Sequence, residues 1–263
     1  MKIIVLIKQV PDTTEVRLDR KTGNLIREGV PSIINPDDRM ALECALRLKE
    51  RYEAQITVLT MGPPQAIDAL SEALGMGADA GILLTDRAFA GADTWATSTT
   101  LSRALTRIGA CDLILCGRQA IDGDTAQTGP QIAECLGLPQ LTRVNKIEEI
   151  TEKRITVSRR TETGSERLAA DLPALLTITK VAPPIRYPRV ANLLKACSEK
   201  APIEIWNAAD IGCKTAEVGL SGSLTQVIKT FSPKTRREGE ILAGEIPEAV
   251  TALVARLKQH HLV

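Results

Sequence analysis

The first half of the chain alternates between short aliphatic runs and segments with helical periodicity, and this alternation constrains the fold more than any other feature. The run at 3–7 is continuously aliphatic, which is typical of a strand covered on both faces in a parallel sheet. The sequence predicts further strands at 56–61, 81–84 and 113–116, and helices that begin at Pro36 and span 64–74, 94–108 and 125–136. Successive units of this kind predict an α/β fold with a doubly wound, mostly parallel sheet, flavodoxin-like layering and right-handed crossovers.

The second half of the chain has a different pattern. Alternating segments without long helices predict a β-rich edge to the same domain, at 141–150, 154–161, 166–170 and 174–179. A small hairpin is expected earlier, over 16–28. Beyond residue 180 the chain lacks a periodic face until a final helix at 247–258. Such a stretch is either an arm laid on a partner or a poorly packed surface excursion, and composition alone leaves both open.

Charge and composition exclude several classes of protein. Lys+Arg is 33 and Asp+Glu is 32, so the formal net charge of +1 gives no general attraction to nucleic acid or anionic lipid, and aromatic residues make up only 2%. No apolar run reaches the ~18 residues that span a bilayer, so a cytoplasmic protein without membrane insertion is expected. The six cysteines form no C-x-x-C pair and the two histidines stand near the C-terminus, which argues against a metal site and a histidine-based catalytic site.

The segment most informative about function follows the predicted strand 113–116. The strand ends at Gly117, and a short polar loop with a further glycine, Gly123, leads into the next helix. Asp124 is expected to cap that helix, with Gln127 completing a capping box. Free amides at a helix start form an anion site suited to a phosphate or pyrophosphate, and Asp122 is then expected to face a ribose. The alternative interpretation is an ordinary turn between a strand and a helix.

Other loops are expected at the same edge of the sheet. The segments 10–12 and 61–64 follow the first and second predicted strands, and ligands of such sheets bind beyond the carboxyl ends of the strands, where the strand order reverses. Together the loops predict a pocket for adenine, ribose and phosphate. Asn35 and Pro36 are expected as the N-cap and first residue of a helix, and 75–77 as a helix C-cap turn.

Several segments of the sequence resemble the β subunit of the electron-transfer flavoproteins. The similar segments are VLIKQVPD at 5–12, GVPSIINP at 29–36, MGPP at 61–64, GMGAD at 75–79 and GRQAIDGDTAQT at 117–128. The sequence of 117–127 is similar to that of the electron-bifurcating group of the family. Gly123 stands where the simple carriers often have an acidic residue, and its small size would leave room for a flavin-length ligand. Thr128, in contrast, is similar to the simple carriers.

The resemblance implies a heterodimer whose α subunit carries an electron-transferring FAD. In the bifurcating group the β subunit holds a second FAD, which accepts a hydride from NADH and sends electrons towards a low-potential acceptor, ferredoxin or flavodoxin, and towards an acyl-CoA dehydrogenase-type partner. In simple carriers the β subunit holds a structural AMP. The resemblance therefore implies FAD here, with AMP as the alternative, in a nucleotide-binding domain at 1–190, followed by an arm at 191–263 that packs on the α subunit.

Position by position, the resemblance implies two groups of functional residues. Cofactor-binding residues are expected at Leu6, Asn35, Pro36, Asp37, Asp38, Met61, Gly117, Arg118, Gln119, Ala120, Ile121, Asp122, Gly123, Asp124, Thr125, Ala126, Gln127 and Thr128. Residues that dock an acyl-CoA dehydrogenase or a related flavin dehydrogenase are expected at Arg186, Tyr187, Val190, Asn192, Leu193 and Lys195. The chain departs from the family at Asp37, where an aromatic residue is frequent, and at 197–199, which replace a lysine run.

In this interpretation the chemistry belongs to bound flavin, and no side chain is expected to act as acid, base or nucleophile. Two other classes built on similar sheets compete with it: a nucleotide-binding regulatory module and an ATP-cleaving ligase. The ligase would show a Gly- and Ser-rich pyrophosphate loop after its first strand, which the segment 10–12 lacks. The regulatory module would not need the long C-terminal segment.

Overall fold

A computed structural model describes residues 1–12, 31–179, 184–229, 239 and 241–263. The strands are β1 (Lys2–Leu6), β2 (Gln9–Pro11), β3 (Ser32–Ile34), β4 (Gln55–Met61), β5 (Ala80–Leu84), β6 (Leu113–Gly117), β7 (Gln140–Ile150), β8 (Arg154–Arg160), β9 (Ser165–Asp171), β10 (Ala174–Ile178) and β11 (Ile203–Trp206). The α-helices are α1 (Pro36–Tyr52), α2 (Ile67–Met76), α3 (Thr94–Ile108), α4 (Thr128–Leu136), α5 (Val190–Ala196) and α6 (Ile246–Gln259). The hairpin expected over 16–28 lies outside the described residues.

The main sheet confirms the expected α/β fold with a mostly parallel, doubly wound arrangement. Its nine strands follow the order β11-β5-β4-β1-β6-β10-β7-β8-β9. Neighbours from β11 through β7 run parallel, and β8 and β9 are added antiparallel. Helices α1 and α2 cover one face, and α3 and α4 cover the other. The chain order reverses beside β1, whose neighbours are β4 and β6, so a switch point lies between β1 and β6.

The central strands are aliphatic throughout because helices cover both faces of the sheet. Ile4 and Ile114 belong to the core on the side of α3 and α4, whereas Val5 and Leu115 belong to the core on the side of α1 and α2. None of these side chains is more than 2% exposed. Burial of each contributes roughly 1.5–3 kcal/mol. The packed sheet therefore fixes the strand ends from which the loops at the switch point begin.

The C-terminal part of the chain contains more regular structure than its sequence pattern predicted. The stretch after residue 180, expected to be irregular up to the final helix, contains two elements: β11 pairs in parallel with β5 as the outermost strand, and α5 packs on α2. Strand β11 escaped the pattern analysis because Glu204 and Ile205 are exposed and only Trp206 is buried. The segment expected as part of an edge at 174–179 forms β10, which lies inside the sheet between β6 and β7.

The described chain divides into two compact units, Met1–Val227 and Ile228–Val263. The boundary expected at residue 190 lies inside the first unit, because α5 and β11 are built onto α2 and β5. The second unit contains α6. In the ranges that the structure describes, no helix is long and apolar enough to cross a bilayer. Within the same ranges, no group of three or more His, Cys, Asp or Glu side chains could hold a metal ion.

Candidate functional site

The carboxyl ends of β1, β4 and β6 lie side by side at the switch point. Leu6 ends β1, Met61 ends β4 and Gly117 ends β6. Leu6 and Gly117 are buried, and Met61 is half-buried. We call this place the crevice, and define it as these strand ends together with the first turn of α1 (35–38) and the β6–α4 loop (117–128). It contains every position at which the sequence predicted a cofactor contact.

Asp38 joins the two strands that flank the switch point. Its Oδ2 accepts a hydrogen bond from the main-chain amide of Lys8 at 2.8 Å, and its Oδ1 accepts one from the amide of Gly117 at 2.9 Å. The residue is only 7% exposed. Burial raises the pKa of Asp38 to about 7, although both amide hydrogen bonds favour the charged carboxylate. Asp38 therefore fixes the distance between the end of β6 and the chain that follows β1.

Gly117 is required where β6 meets the first turn of α1. A Cβ atom on this residue would lie 2.5 Å from Oδ1 of Asp38 and 2.6 Å from the carbonyl carbon of Asp37. One of these is a main-chain atom of a packed helix, so it has no room to move. The absence of a side chain at Gly117 thus allows the close approach of strand to helix.

Asn35 holds the β6–α4 loop instead of capping its own helix. It occupies the N-cap position before Pro36, as expected, but its side chain makes no capping hydrogen bond. Its Nδ2 donates to the carbonyl of Gln119 at 2.8 Å, and its Oδ1 accepts from the amide of Ile121 at 3.1 Å. Asn35 is completely buried. Both ends of the amide are therefore used to set the path of the loop.

The end of the β6–α4 loop differs from the sequence prediction. Helix α4 begins at Thr128 rather than Thr125, and its N-cap residue Gln127 makes no side-chain cap. The capping box expected for Asp124 and Gln127 is therefore absent, and Asp124 accepts a hydrogen bond from the side chain of Gln119. The helix cannot start earlier because Asp124 and Ala126 both adopt φ of 53°, in the left-handed region.

The backbone just before α4 places a left-handed residue next to a right-handed one. Ala126 is left-handed and the following Gln127 is right-handed, with φ −103° and ψ −28°. A change of hand between neighbours turns successive amides to one side and forms an anion-binding concavity. The amides of Thr125, Ala126 and Gln127 have no acceptor among the described residues. An alanine held left-handed costs about 1–2 kcal/mol, and strain of this kind is concentrated at functional sites.

Lys8, two residues after the end of β1, contacts the β6–α4 loop and is added to the crevice; sequence reasoning missed it. Its Nζ lies 2.7 Å from Oδ1 of Asp122, and this ion pair joins the chain after β1 to the β6–α4 loop. The signal that could have found it is its place directly after the aliphatic run of the first strand, at the edge where ligands of such sheets bind. The prediction that Asp122 faces a ribose remains a prediction.

Asp37 adds a partly buried carboxylate to the crevice. Burial raises its pKa, while the Arg118 guanidinium and the main-chain amide of Gln119 act in the opposite direction. Of the remaining loop positions, Ile121 is 52% exposed. A Cβ atom on Gly123 would meet nothing within 4 Å, so the loop has open space at that position.

The predicted docking residues divide into two groups, and the first holds the segment onto the protein. Arg186 donates to Glu43 through Nε at 2.8 Å and to Glu50 through Nη1 at 2.6 Å, and these acidic partners raise its pKa. Leu193 packs over Gly75, where an added Cβ would lie 2.5 Å from its Cδ2. Asn192 donates to the carbonyl of Gly75 at 3.4 Å. These residues attach α5 to α1 and α2.

The second group of docking residues faces outward. Tyr187 is 87% exposed and Val190 is 72% exposed, and Lys195 is also exposed. Leu194, which the sequence analysis did not select, is 71% exposed. It lies four residues after Val190, so both apolar side chains stand on one face of α5. The outward face of α5 and the segment before it, which we call the docking face, therefore carries exposed apolar side chains beside Lys195.

The structure defines an α/β protein with a mostly parallel, doubly wound sheet and with loops gathered at its switch point. Comparison with known proteins makes the class specific. The model of the family described as "Electron transfer flavoprotein domain" matches residues 22–211. The chain is 52% identical over 263 residues to "Electron transfer flavoprotein subunit beta" of Thermoanaerobacterium thermosaccharolyticum, with 100% of both chains covered.

Two further relatives have different names. The chain is 49% identical over 265 residues to "Caffeyl-CoA reductase-Etf complex subunit CarD" of Acetobacterium woodii, again with 100% of both chains covered. It is 44% identical over 261 residues to "Protein FixA" of Bradyrhizobium diazoefficiens, covering 97% of this chain and 90% of the relative.

The chain therefore belongs to the electron transfer flavoprotein family, as one of its beta subunits. A beta subunit implies an alpha-subunit partner, and the family is associated with flavin. The family resemblance of the sequence is confirmed.

Proposed function

We propose that this beta subunit binds FAD in the crevice and that its complex takes electrons from NADH and bifurcates them. One branch leads to a low-potential acceptor, ferredoxin or flavodoxin, and the other to an acyl-CoA dehydrogenase-type flavoprotein. The observation that carries the proposal is the row of amides at Thr125, Ala126 and Gln127, which have no acceptor among the described residues, at the switch point of the sheet.

The residues of the crevice fit a dinucleotide such as FAD. The amides before α4 suit a diphosphate, because main-chain N–H groups at a helix start favour negative charge. Open space at Gly123 leaves room for the part of the ligand beyond the phosphates. A bound flavin would supply the hydride and single-electron chemistry. The chain itself would bind and orient it, through the loop that Asn35 and Asp38 hold in place.

The proposed partners follow from two exposed surfaces. The docking face, with Val190 and Leu194, offers apolar contact to an acyl-CoA dehydrogenase-type flavoprotein. The name of the Acetobacterium woodii relative, a subunit of a caffeyl-CoA reductase-Etf complex, supports this class of partner. On α6 the apolar residues Ile246, Val250 and Leu253 are exposed, which supports the proposal that the C-terminal arm packs on the alpha subunit.

We also propose a cytoplasmic location. All six cysteines are free, which agrees with a reducing compartment, and NADH and ferredoxin are reactants of that compartment.

The test is the cofactor content and activity of the complex copurified after coexpression with its alpha subunit. The proposal predicts two FAD per heterodimer, oxidation of NADH, and reduction of ferredoxin or flavodoxin only when the dehydrogenase-type acceptor is also supplied. One FAD and one AMP per heterodimer would identify a simple carrier. A colourless protein that retains ATP would identify a nucleotide-binding regulatory module.

A matched pair of variants tests where the nucleotide binds. Gly123→Asp places a bulky acidic side chain in the open space of the loop and is expected to lower the flavin content of the beta subunit. Gly123→Ala is the control, because an added Cβ meets nothing within 4 Å. Equal flavin content in both variants and the wild type would contradict binding at this loop.

A further inference from the structure

Lys8 is held in a fixed place beside the β6–α4 loop. Its main-chain amide donates to Oδ2 of Asp38 at 2.8 Å, and its carbonyl accepts from the amide of Asn35 at 2.8 Å. Both partners belong to the start of α1 and are buried. The backbone of Lys8 is therefore attached to the residues that set the path of the loop.

The ammonium group of Lys8 has donor capacity to spare. It contacts Oδ1 of Asp122 at 2.7 Å, and within the described ranges this is its hydrogen-bond partner. A lysine ammonium carries three N–H donors. The Lys8 side chain is 41% exposed, whereas that of Asp122 is only 10% exposed. The carboxylate of Asp122 is thus largely enclosed on the loop, whereas the Lys8 side chain remains partly accessible beside it.

The charges of the crevice make this cation important for an anionic ligand. The acidic side chains of the crevice are Asp37, Asp38, Asp122 and Asp124, and its cations are Lys8 and Arg118. Arg118 acts on Asp37. A phosphorylated ligand would meet a surplus of carboxylates, and like charges at short distance repel it. Lys8 offsets the charge of Asp122, which is the carboxylate that it contacts directly.

We propose that Lys8 is the residue that makes the crevice select phosphorylated adenine compounds over unphosphorylated ones, and that Asp122 positions its ammonium for this contact. The inference rests on the proposed function, because it needs an adenine nucleotide in the crevice. If Lys8 served only to hold the loop against β1, its loss would lower the affinity for every adenine ligand by the same factor. A lysine that acts on phosphate changes affinity in proportion to the charge of the ligand.

The experiment compares adenosine, AMP and ADP. Each is titrated by calorimetry into the copurified complex from which nucleotide has been removed, for the wild type, Lys8→Met and Lys8→Arg. We expect Lys8→Met to lower the affinities for AMP and ADP by about tenfold or more, and to change the affinity for adenosine by no more than about twofold. Lys8→Arg keeps the positive charge and is expected to recover most of the phosphate preference.

Lys146→Met is the matched control. Lys146 is exposed on β7 and forms an ion pair with Glu148 at 2.6 Å, and its loss should leave all three affinities unchanged. If Lys8→Met lowered the affinities for adenosine and ADP by the same factor, the inference would be overturned, since this would show a purely structural role. Unchanged ADP affinity in Lys8→Met would also overturn it. If the wild-type complex bound none of the three ligands, the proposed function itself would fail, and this result is distinct from both others.

Discussion

Helix α1 supports both of the proposed surfaces, the crevice at its N-terminus and the docking face further along, and the two surfaces offer different chemistry. The helix has 17 residues, which is roughly 25 Å. Near its N-terminus, the side chains of Asn35 and Asp38 hydrogen-bond to main-chain groups of neighbouring segments. They fix the loop whose free main-chain amides form the proposed binding surface. Further along, Glu43 and Glu50 bind Arg186 and so attach the segment that leads into α5. The outward side of α5 then exposes the apolar side chains of the docking face.

Because one surface uses main-chain groups and the other uses side chains, the two should differ in the substitutions that they tolerate. Main-chain amides recognise phosphate whatever side chain they carry, so the crevice depends on the residues that fix the backbone. The docking face depends on the identity of its exposed side chains, since an apolar contact is lost when the side chain becomes polar. Substitutions near the N-terminus of α1 should therefore affect nucleotide binding, and substitutions at the docking face should affect the partner alone.

The largest effect is expected from Gly117→Ala at the crevice. The new Cβ would lie 2.6 Å from the carbonyl carbon of Asp37, so β6 and α1 must separate. We expect a loss of about 3 kcal/mol in the free energy of unfolding, measured with urea, together with loss of bound nucleotide. Gly123→Ala is the control in the same loop. Equal stability of the two variants would refute the close approach of strand and helix.

A smaller effect, with a distinctive pH dependence, is expected from Asp38→Asn. The asparagine amide turns a donor towards one of two main-chain donors, which should cost about 2 kcal/mol near pH 5. The pKa of Asp38 is raised to about 7 from an ordinary value of 3.8, so the folded protein keeps a proton that the unfolded chain has released. The protonated carboxyl therefore contributes to the free energy of unfolding. This contribution is fully present below pH 3.8 and is lost as the pH rises to about 7.

Urea unfolding of wild type and Asp38→Asn between pH 4 and pH 8 checks this sign. The advantage of the wild type should be largest at the acidic end and should shrink towards neutrality. An advantage that grew with pH would show that the charged carboxylate is the form the fold requires.

At the docking end, Gly75→Ala should displace α5 without touching the crevice. An added Cβ would lie 2.5 Å from Cδ2 and 2.9 Å from Cγ of Leu193, so this side chain must turn away, and we expect a loss of about 1 kcal/mol. Affinity for the dehydrogenase-type partner should fall while nucleotide content stays constant. Leu193→Ala in the same chain should remove the clash, and failure of this double variant to recover stability over Gly75→Ala would contradict the packing described.

The smallest change in stability is expected from Val190→Ser combined with Leu194→Ser. Both side chains are more than 70% exposed, so the free energy of unfolding should change by no more than about 0.5 kcal/mol. Binding of the dehydrogenase-type partner, measured by surface plasmon resonance on the intact complex, should nevertheless weaken. Unchanged binding would show that the partner uses another surface.

The sequence predicted the features that local residue patterns determine. Uninterrupted aliphatic runs predicted the central strands, and Gly77 ends α2 at φ of 126°, as expected of a C-cap glycine. The loop 117–128 was recognised because a glycine closes its strand and a helix follows. The order of strands in the sheet then brought the predicted loops to one edge.

The features that escaped prediction depend on segments distant in sequence. The ion pair of Lys8 and Asp122 joins residues separated by 114 positions, and the Asn35 side chain bonds a loop 84 positions away. Asn35 was expected to act within its own helix because the pattern around it is also that of an N-cap. The left-handed Ala126, which delays the start of α4, has no signature in its residue type.

Hydrogen exchange of the main-chain amides tests the central claim most directly. The copurified complex, freed of nucleotide, is compared with and without saturating ADP. We predict slower exchange at Thr125, Ala126 and Gln127, whose amides have no acceptor among the described residues, and unchanged exchange along α5. Protection along α5 with no change in the β6–α4 loop would contradict the account.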